Sequence, residues 1–409
     1  MPSLCLYFQV HQPYRLRQLP IFDIAKHSDY FDEPMNREMC RKVAEKCYLP
    51  ANALMLKLIK RYPGKFKVAY SISGITLEQL AEYAPKVLES FQALAATGQV
   101  ELLAETYYHS LAASFSPTEF KEQVAQQLRL VKRLFGVRPT VFRNTELIYS
   151  DAIAAQVAAM GFKAILAEGW EPVLKGRSPN HVYTSAVPNL KLLLKNYRLS
   201  DDIAFRFTEF GPLTAAKFAS WLHALDGKAE TINLFMDYET IGEHQWKESG
   251  IFRFFEDLPA AVFTNPNFSF ATPSEVLARY PSQGTVKVPK PTSWADSERD
   301  LSAWLGNPMQ DSIAAWVYGL EVRVKATSDK KLLDTWRRLQ TSDHFYYMCT
   351  KHWADGDVHK YFSVYDIPHR AYVFMNNVLT DLEMRLDEKE GTKKKAASRT
   401  KRHINTETD

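Results

Sequence analysis

The chain has 409 residues, of which 46% are hydrophobic and 24% are charged, and its formal net charge is +4. This composition is typical of a folded protein with a sizeable core and excludes a chain that is disordered throughout. No apolar run reaches the ~18–20 residues that span a bilayer, no positively charged leader precedes the first apolar run, and the four cysteines lack CxxC spacing. We therefore expect a cytoplasmic location, no membrane partner and no disulfide framework.

Short β-rich runs alternate with segments of helical period along the first ~290 residues. Most of these runs are apolar almost throughout, as in strands of a parallel sheet that is covered on both faces. The predicted strands are 3–10, 66–72, 99–104, 140–143, 163–168, 190–196 and 231–236, with a weaker run at 268–271.

The segments between the runs carry helix start and stop signals. A helix over 116–136 opens with a capping box from Ser116 to Glu119, and helices over 151–161 and 272–281 follow later strands. Seven or eight such repeats predict an α/β fold with a closed (β/α) barrel. A doubly wound open sheet is the alternative, but no GxGxxG follows the first strand, so a dinucleotide site has no support.

The β-rich runs stop after about residue 300. Segments 308–326, 329–353 and 369–390 are helical in period, which predicts a C-terminal helical bundle. The predicted domains are therefore a barrel over 1–290 that carries the site and a helical domain over 291–386 that completes it.

The positive charge is concentrated in the C-terminal tail. Residues 391–403 hold six basic side chains and no acid, and without them the net charge of +4 would become −2. A segment so short of apolar residues cannot offset its ordering entropy, so we predict a disordered tail over 387–409. A weak nucleic-acid or membrane tether is the alternative; no nucleic-acid partner is expected.

Polar side chains follow four of the predicted strands at the point where each strand ends. His11 and Gln12 follow the first strand, 105–110 (ETYYHS) ends the third, 144–151 (NTELIYSD) follows the fourth and 237–244 (DYETIGEH) follows the seventh. In parallel barrels the reacting residues collect at the C-terminal ends of the strands. The four clusters are therefore predicted to form one site.

Five segments, in order along the chain, resemble the five sequence regions of glycoside hydrolase family 57, most closely its α-amylase-like branch. They are VHQP (10–13), GQVELL (98–103), FRNTELIYSD (142–151), FMDYETIGEHQW (235–246) and SWADSERDLSAWLGN (293–307). The resemblance spans roughly residues 1–385. It implies a (β/α)7, incomplete TIM-like barrel followed by a C-terminal helical bundle, acting with retention on α-glucosidic bonds of an α-glucan or maltooligosaccharide and needing no cofactor or metal.

The resemblance also implies the catalytic pair. Glu146 matches the nucleophile of the family and Asp237 matches its general acid/base. A retaining mechanism needs two carboxyl groups, one ionised to attack the anomeric carbon and one protonated to assist the leaving group. The sequence alone does not select Asp237 over Glu239 or Glu243.

Further residues of the matching segments are expected to bind substrate, and these are His11, Glu101, Glu239, Trp294 and Trp304. His11 matches a histidine that hydrogen-bonds sugar. For Glu101 and Glu239 the alternative is a charge inside the barrel that raises the pKa of Asp237 by repulsion. For the two tryptophans it is packing at the domain junction instead of stacking on a pyranose.

Four more residues are expected to support the reacting groups without touching substrate: Gln12, His109, Glu243 and His244.

Two other classes of protein stay open. His11, His109, Asp237 and His244 could hold a divalent metal for amide or mannoside hydrolysis, although no HxH, HExxH or DxH pair occurs among them. A glucan-binding homologue without turnover is the second. The motifs do not separate hydrolysis, chain transfer and branching, and they carry no signal for the oligomeric state.

Overall fold

The structure is a computed structural model that describes residues 1–209, 211, 213–351 and 363–404, with side chains described as far as residue 391. The chain divides into two units, one made of Met1–Pro13 with Pro34–Leu301 and the other of Tyr14–Glu33 with Ser302–Asp409. Segment 14–33 belongs to the second unit, although the sequence predicts it as part of the barrel. The predicted domain limits, which are 1–290, 291–386 and 387–409, stay predictions.

The described residues of the first unit form nine strands, and all eight predicted runs are confirmed, most of them one to three residues shorter than predicted. The strands are Ser3–Val10 (β1), Val68–Ile72 (β2), Val100–Leu102 (β3), Val141–Arg143 (β4), Ala164–Glu168 (β5), Val182–Thr184 (β6), Lys191–Lys195 (β7), Thr231–Asp237 (β8) and Ser269–Phe270 (β9). β6 was not predicted; it is short and pairs antiparallel with β7.

Seven parallel strands close into a ring. One sheet runs in the order β3-β2-β1-β8 and the other begins β4-β5-β7. A parallel bridge between Ala104 and Phe142 joins β3 to β4, and the amide of Asn196 donates to the carbonyl of Asn233 at 2.9 Å, which joins β7 to β8. The predicted (β/α)7 barrel is therefore confirmed, with β6 and β9 lying outside the ring.

Helices cover the ring on its outside. They are Glu33–Val43 (α1), Leu49–Arg61 (α2), Gly74–Tyr83 (α3), Pro85–Ala95 (α4), Ala112–Phe115 (α5), Pro117–Phe135 (α6), Asp151–Ala159 (α7), Glu171–Leu174 (α8), Tyr197–Ala204 (α9), Ala215–His223 (α10), Ile251–Val262 (α11) and Pro273–Arg279 (α12). Ser116 accepts from the amide of Glu119 at 3.1 Å at the start of α6, and Gly136 ends that helix at a φ of 73°. The Ser116 cap and the Gly136 stop are therefore confirmed, whereas the Ser116 amide donates to the carbonyl of Ala112 at 2.9 Å instead of completing the predicted capping box.

Side chains alternate along each strand between the barrel interior and the helices. Cys5 and Tyr7 of β1, Leu193 of β7 and Phe235 of β8 belong to one buried apolar cluster inside the barrel. On these strands and their neighbours, the next residue that faces the barrel interior towards the C-terminal end is polar. The resulting polar ring at the C-terminal ends of the strands consists of Gln9, Ser71, Glu105, Arg143, Glu168, Lys195 and Asp237.

The second unit is helical, as predicted for the region after residue 300. Its helices are Pro308–Gly319 (α13), Glu321–Thr327 (α14), Lys330–Arg338 (α15), Ser342–Tyr346 (α16) and a C-terminal helix at Pro368–Ile404. Segment 14–33 is fixed within this unit because Asn377 Nδ2 donates to the carbonyl of Leu19 at 2.8 Å and the Arg338 guanidinium lies 3.9 Å from the ring centroid of Tyr14. The C-terminal helix enters the segment for which disorder is predicted, and that expectation about the protein in solution stays a prediction.

Candidate active site

Glu146 lies in a 3₁₀ turn, Thr145–Leu147, directly after β4. Glu146 and Leu147 both have left-handed backbone conformations, with φ values of 57° and 51°. Such a conformation costs about 1–3 kcal/mol for a residue with a side chain and is found mostly at functional sites. The turn is held by paired backbone hydrogen bonds of 2.9 Å between Tyr149 and Thr292, which bring the fifth matching segment beside the third.

Two N–H groups point at the carboxylate of Glu146. The indole Nε1 of Trp294 donates to Oε2 at 2.8 Å, and His109 Nε2 lies 3.3 Å from Oε1. The amide of Trp294 also donates to the carbonyl of Glu146 at 3.2 Å. Donors of this kind favour the ionised form of a carboxylate, so the predicted nucleophile is held in place by both of its oxygens.

His109 is buried between two carboxylates. Its Nδ1 lies 2.9 Å from Glu105 Oε2, on the side of the ring away from Glu146. Burial alone would lower the pKa of His109, but the hydrogen bonds to Glu105 and Glu146 outweigh it and raise the pKa to about 9. His109 is therefore a cation at neutral pH and donates to both partners; its predicted supporting role in the reaction stays a prediction.

His11 stacks on His109. Their ring centroids are 3.9 Å apart with an interplanar angle of 19°, and His11 Nδ1 is 2.8 Å from Ser73 Oγ. The loop that carries His109 packs closely here, because a Cβ on Gly74 would collide with the ring of Tyr107. The structure thus places His11 at the predicted site, with one ring face covered by His109.

Asp237 is the last residue of β8 and is only partly exposed. Its pKa is raised to about 6, first by burial and then by the negative charge of Glu146, against the opposing charges of Arg143, His109 and Lys195. The site thus holds one carboxylate fixed by two donors and one carboxyl that keeps its proton to a higher pH. Two carboxyl groups whose environments favour different protonation states suit the roles of nucleophile and general acid.

Glu239 lies two residues beyond Asp237, in the 3₁₀ turn Tyr238–Thr240. Burial, followed by the charge of Asp237, raises the pKa of Glu239 to about 8. The Tyr48 hydroxyl donates to Glu239 Oε1, and Gln12 Nε2 donates to the same oxygen at 3.4 Å. Because Glu239 is largely protonated at neutral pH, the repulsion expected from it contributes less to Asp237 than the charge of Glu146 does.

We predict that Glu239→Gln flattens the dependence of stability on pH. The folded-state pKa of Glu239, about 8, lies above its ordinary value of 4.5, so the unfolded chain loses this proton at a lower pH than the folded protein does. The stability that protonated Glu239 contributes is therefore fully present at low pH and falls as the pH rises towards 8. One pKa unit corresponds to about 1.4 kcal/mol, so the wild-type free energy of unfolding should fall by a few kcal/mol over this window. Denaturant unfolding of both proteins at the two ends of the window measures the difference.

The matched control for this prediction is Glu248→Gln, because Glu248 is an exposed carboxylate in the same loop region. This control should lose stability with pH as the wild type does. Parallel losses in the wild type and in Glu239→Gln would show that Glu239 is not the group that titrates.

Glu243 and His244 follow on the same loop. Glu243 forms an ion pair with Lys42 of α1 at 2.9 Å, and the amides of both residues donate to the carbonyl of Glu239, at 3.1 Å and 2.9 Å. Burial, partly opposed by the charge of Glu243, lowers the pKa of His244 to about 4. Both residues therefore hold the loop that carries Glu239, and the supporting role expected of them in the reaction stays a prediction.

Glu101 and Trp304 are two further residues for which substrate binding is predicted. Glu101 accepts from the amide and hydroxyl of Ser274 at the start of α12, at 2.8 Å and 2.6 Å, so its carboxylate caps that helix below the apolar layer of the barrel. Trp304 belongs to the second unit and is 2% exposed, with its ring centroid 6.3 Å from that of Tyr346. These positions favour structural roles for both.

The structure also gathers charged residues that the motifs did not single out. Arg299 Nη1 donates to Glu168 and its Nη2 to Asp201, at 2.8 Å and 3.1 Å, and Lys195 Nζ donates to Asp201 at 3.0 Å. Arg299 Nη1 also donates to the carbonyl of Trp294 at 2.8 Å. Strand periodicity provides a signal for Glu168 and Lys195, since each is the inward polar residue at a strand end.

Among the residues that the structure describes, no three His, Cys, Asp or Glu side chains come together as a group that could hold a metal ion. The described helices include none with an apolar stretch that could span a bilayer.

Comparison with known proteins places this chain in a family. Residues 5–289 match the sequence model of glycosyl hydrolase family 57. The chain belongs to this family. It is 43% identical over 401 residues to a putative alpha-amylase of Methanocaldococcus jannaschii, covering 93% of this chain and 84% of that protein. A 4-alpha-glucanotransferase of Thermococcus kodakarensis is 23% identical over 64% of this chain, which spans only 40% of that relative.

Solved structures of the family share the fold. The branching enzyme of family 57 from Thermococcus kodakaraensis superposes with a TM-score of 0.69 at 13% identity, covering 95% of this chain and 94% of that one. The 4-alpha-glucanotransferase from Thermococcus litoralis gives a TM-score of 0.67 at 15% identity, with 84% of this chain and 56% of that chain covered. This family 57 member is thus a glycoside hydrolase by family and has the barrel expected of it.

Proposed function

We propose that this family 57 protein cleaves α-glucosidic bonds of glucans with retention, using Glu146 as nucleophile and Asp237 as general acid/base. The observation that carries the proposal is the difference between the two carboxyl groups. Glu146 accepts hydrogen bonds from Trp294 and protonated His109, whereas Asp237 has a pKa raised to about 6. One group is held as an anion and the other can donate a proton.

In the first step Glu146 attacks the anomeric carbon while Asp237 gives its proton to the departing oxygen, which leaves a glycosyl-enzyme. The attack neutralises the charge of Glu146, so the repulsion that raises the pKa of Asp237 disappears at that moment. Asp237 therefore stays ionised once it has given up its proton, and this carboxylate takes a proton from the water or sugar hydroxyl that attacks next. His109 and Trp294 keep Glu146 oriented throughout.

The glucan substrate is supported by the names of relatives, which include an alpha-amylase, a 4-alpha-glucanotransferase and a branching enzyme. These activities use the same two carboxylates and differ in the acceptor. A cytoplasmic location is also proposed, supported by four buried cysteines of which none forms a disulfide.

The test is to incubate the protein with amylose and with maltooligosaccharides and to resolve the products by length and linkage, with and without EDTA. Short reducing products indicate hydrolysis, longer and shorter chains indicate transfer, and α-1,6 linkages indicate branching. No change in either substrate would contradict the proposal and favour a binding homologue. Loss of turnover with EDTA would favour the metal-dependent class.

A further inference from the structure

Arg143 is a buried cation with no evident purpose in the sequence. It is the last residue of β4, its side chain is 0% exposed, and it follows Val141 on the inward face of the strand. None of its three side-chain nitrogens has a hydrogen-bond partner among the described residues. A buried charge without such partners is costly, so its retention calls for a compensating contact.

The compensating contact is the indole of Trp294. The guanidinium carbon of Arg143 lies 4.6 Å from the centroid of this ring, and Lys195 Nζ lies 5.5 Å from the same centroid. The electron-rich face of a desolvated tryptophan ring attracts a nearby cation. The same indole donates its Nε1 proton to Glu146 at 2.8 Å. Arg143 therefore touches the group that orients the proposed nucleophile without touching the nucleophile itself.

The charge of Arg143 also acts on the other carboxyl groups of the site. It opposes the rise in the pKa of Asp237, and it helps to lower the pKa of Glu105. The other charged and titratable groups that act on Asp237 are Tyr7, His109, Glu146, Lys195 and Glu239. Behind them, His11 stacks on His109, and Glu168, Asp201 and Arg299 form ion pairs around Lys195.

We propose that Arg143 is a positioning residue for Glu146, acting through Trp294: the guanidinium holds the indole plane so that its N–H stays on the carboxylate. The proposal rests on the proposed function for its effect on turnover. A methionine at 143 would fill similar volume without holding the ring, and a phenylalanine at 294 would keep a ring without an N–H donor. The two substitutions therefore break one linkage at its two ends.

A double-mutant cycle tests this linkage. Arg143→Met and Trp294→Phe should each lower kcat by up to about 10²-fold, the effect of a small misplacement of a reacting group. The double variant should be within roughly twofold of the slower single variant, because both act through one hydrogen bond. Reductions that multiply in the double variant would overturn the proposal. Arg177→Met is the matched control, since Arg177 lies 5.4 Å from the ring of Tyr183, away from this cluster, and it should leave kcat unchanged.

The pH profile separates positioning from packing. Removing the cation should raise the pKa of Asp237, so the basic limb of kcat/KM for Arg143→Met should move to higher pH. Arg143→Lys keeps the charge but not the planar contact with the indole. The basic limb of its kcat/KM profile should therefore stay near that of the wild type, while kcat falls. An unshifted limb in Arg143→Met would contradict the electrostatic part of the account.

A measurement without substrate keeps this inference distinct from the proposed function. In ¹⁵N spectra the indole resonance of Trp294, identified by its loss in Trp294→Phe, should shift and broaden in Arg143→Met and not in Arg177→Met. An inactive wild type would defeat the proposed function but leave this readout intact. An unchanged indole resonance in a folded Arg143→Met protein would defeat the positioning role.

Discussion

Glu146→Gln should reduce the turnover of α-glucans on the order of 10⁴-fold or more, the scale of loss when a nucleophile is removed. The amide keeps the shape of the side chain and an oxygen that can accept from Trp294 Nε1, but it lacks the charge that attacks the anomeric carbon. No glycosyl-enzyme should form on any substrate, including an α-glucosyl fluoride whose departure needs no proton. Initial rates on amylose and on the fluoride measure both effects.

The control for this variant is Glu248→Gln, an exposed carboxylate that should retain wild-type rates. Glu146→Ala adds a stereochemical test. Azide should attack the activated α-donor from the side that the nucleophile leaves empty, and the product should be the β-glycosyl azide. Wild-type turnover by Glu146→Gln would remove this residue from the reaction.

Asp237→Asn should lower turnover of natural glucans by about 10²–10⁴-fold, the usual contribution of general acid/base catalysis. The variant lacks the proton for the departing oxygen and, later, the base for the incoming hydroxyl. An α-glucosyl fluoride should still react with Glu146, so that the glycosyl-enzyme accumulates. A burst of fluoride release followed by a slow steady state is the expected trace.

Asp237→Ala with azide provides the complement. The small anion can attack the glycosyl-enzyme without a base, so turnover of the fluoride should recover and the product should be the α-glycosyl azide. A β-azide here, or equal losses on natural and activated substrates, would show that Asp237 does not act as acid and base.

The barrel could be predicted largely from the sequence because its signals are local. Buried strands read as short apolar runs, and the Ser116 cap and Gly136 stop mark the ends of one helix. The short antiparallel strand Val182–Thr184 was missed because three residues carry too little periodicity. The assignment of 14–33 to the second unit was missed because it depends on contacts such as that between Asn377 and Leu19, which are far apart in sequence.

The sequence predicts the two reacting carboxyl groups of the proposed site but not the charged residues around them. The order of five motifs pointed to Glu146 and Asp237, whereas the strand period decides which other charges face inward. Glu101 and Glu105 lie on the same face of the chain around β3, but only Glu105 reaches the polar ring at the strand ends, where it binds His109. Arg143 carries no motif signal of its own, since its contact with Trp294 joins segments 151 residues apart.

The central claim is that Glu146 becomes covalently glycosylated, and the most direct test is to trap that adduct. Asp237→Ala, treated with an α-glucosyl fluoride and then digested, should yield a peptide that contains Glu146 and is heavier by one glucosyl residue, with fragmentation that locates the sugar on this carboxylate. The adduct should be absent from the Glu146→Gln/Asp237→Ala double variant. An adduct on another residue, or none from a variant that still releases fluoride, would contradict the assignment of Glu146 as the nucleophile.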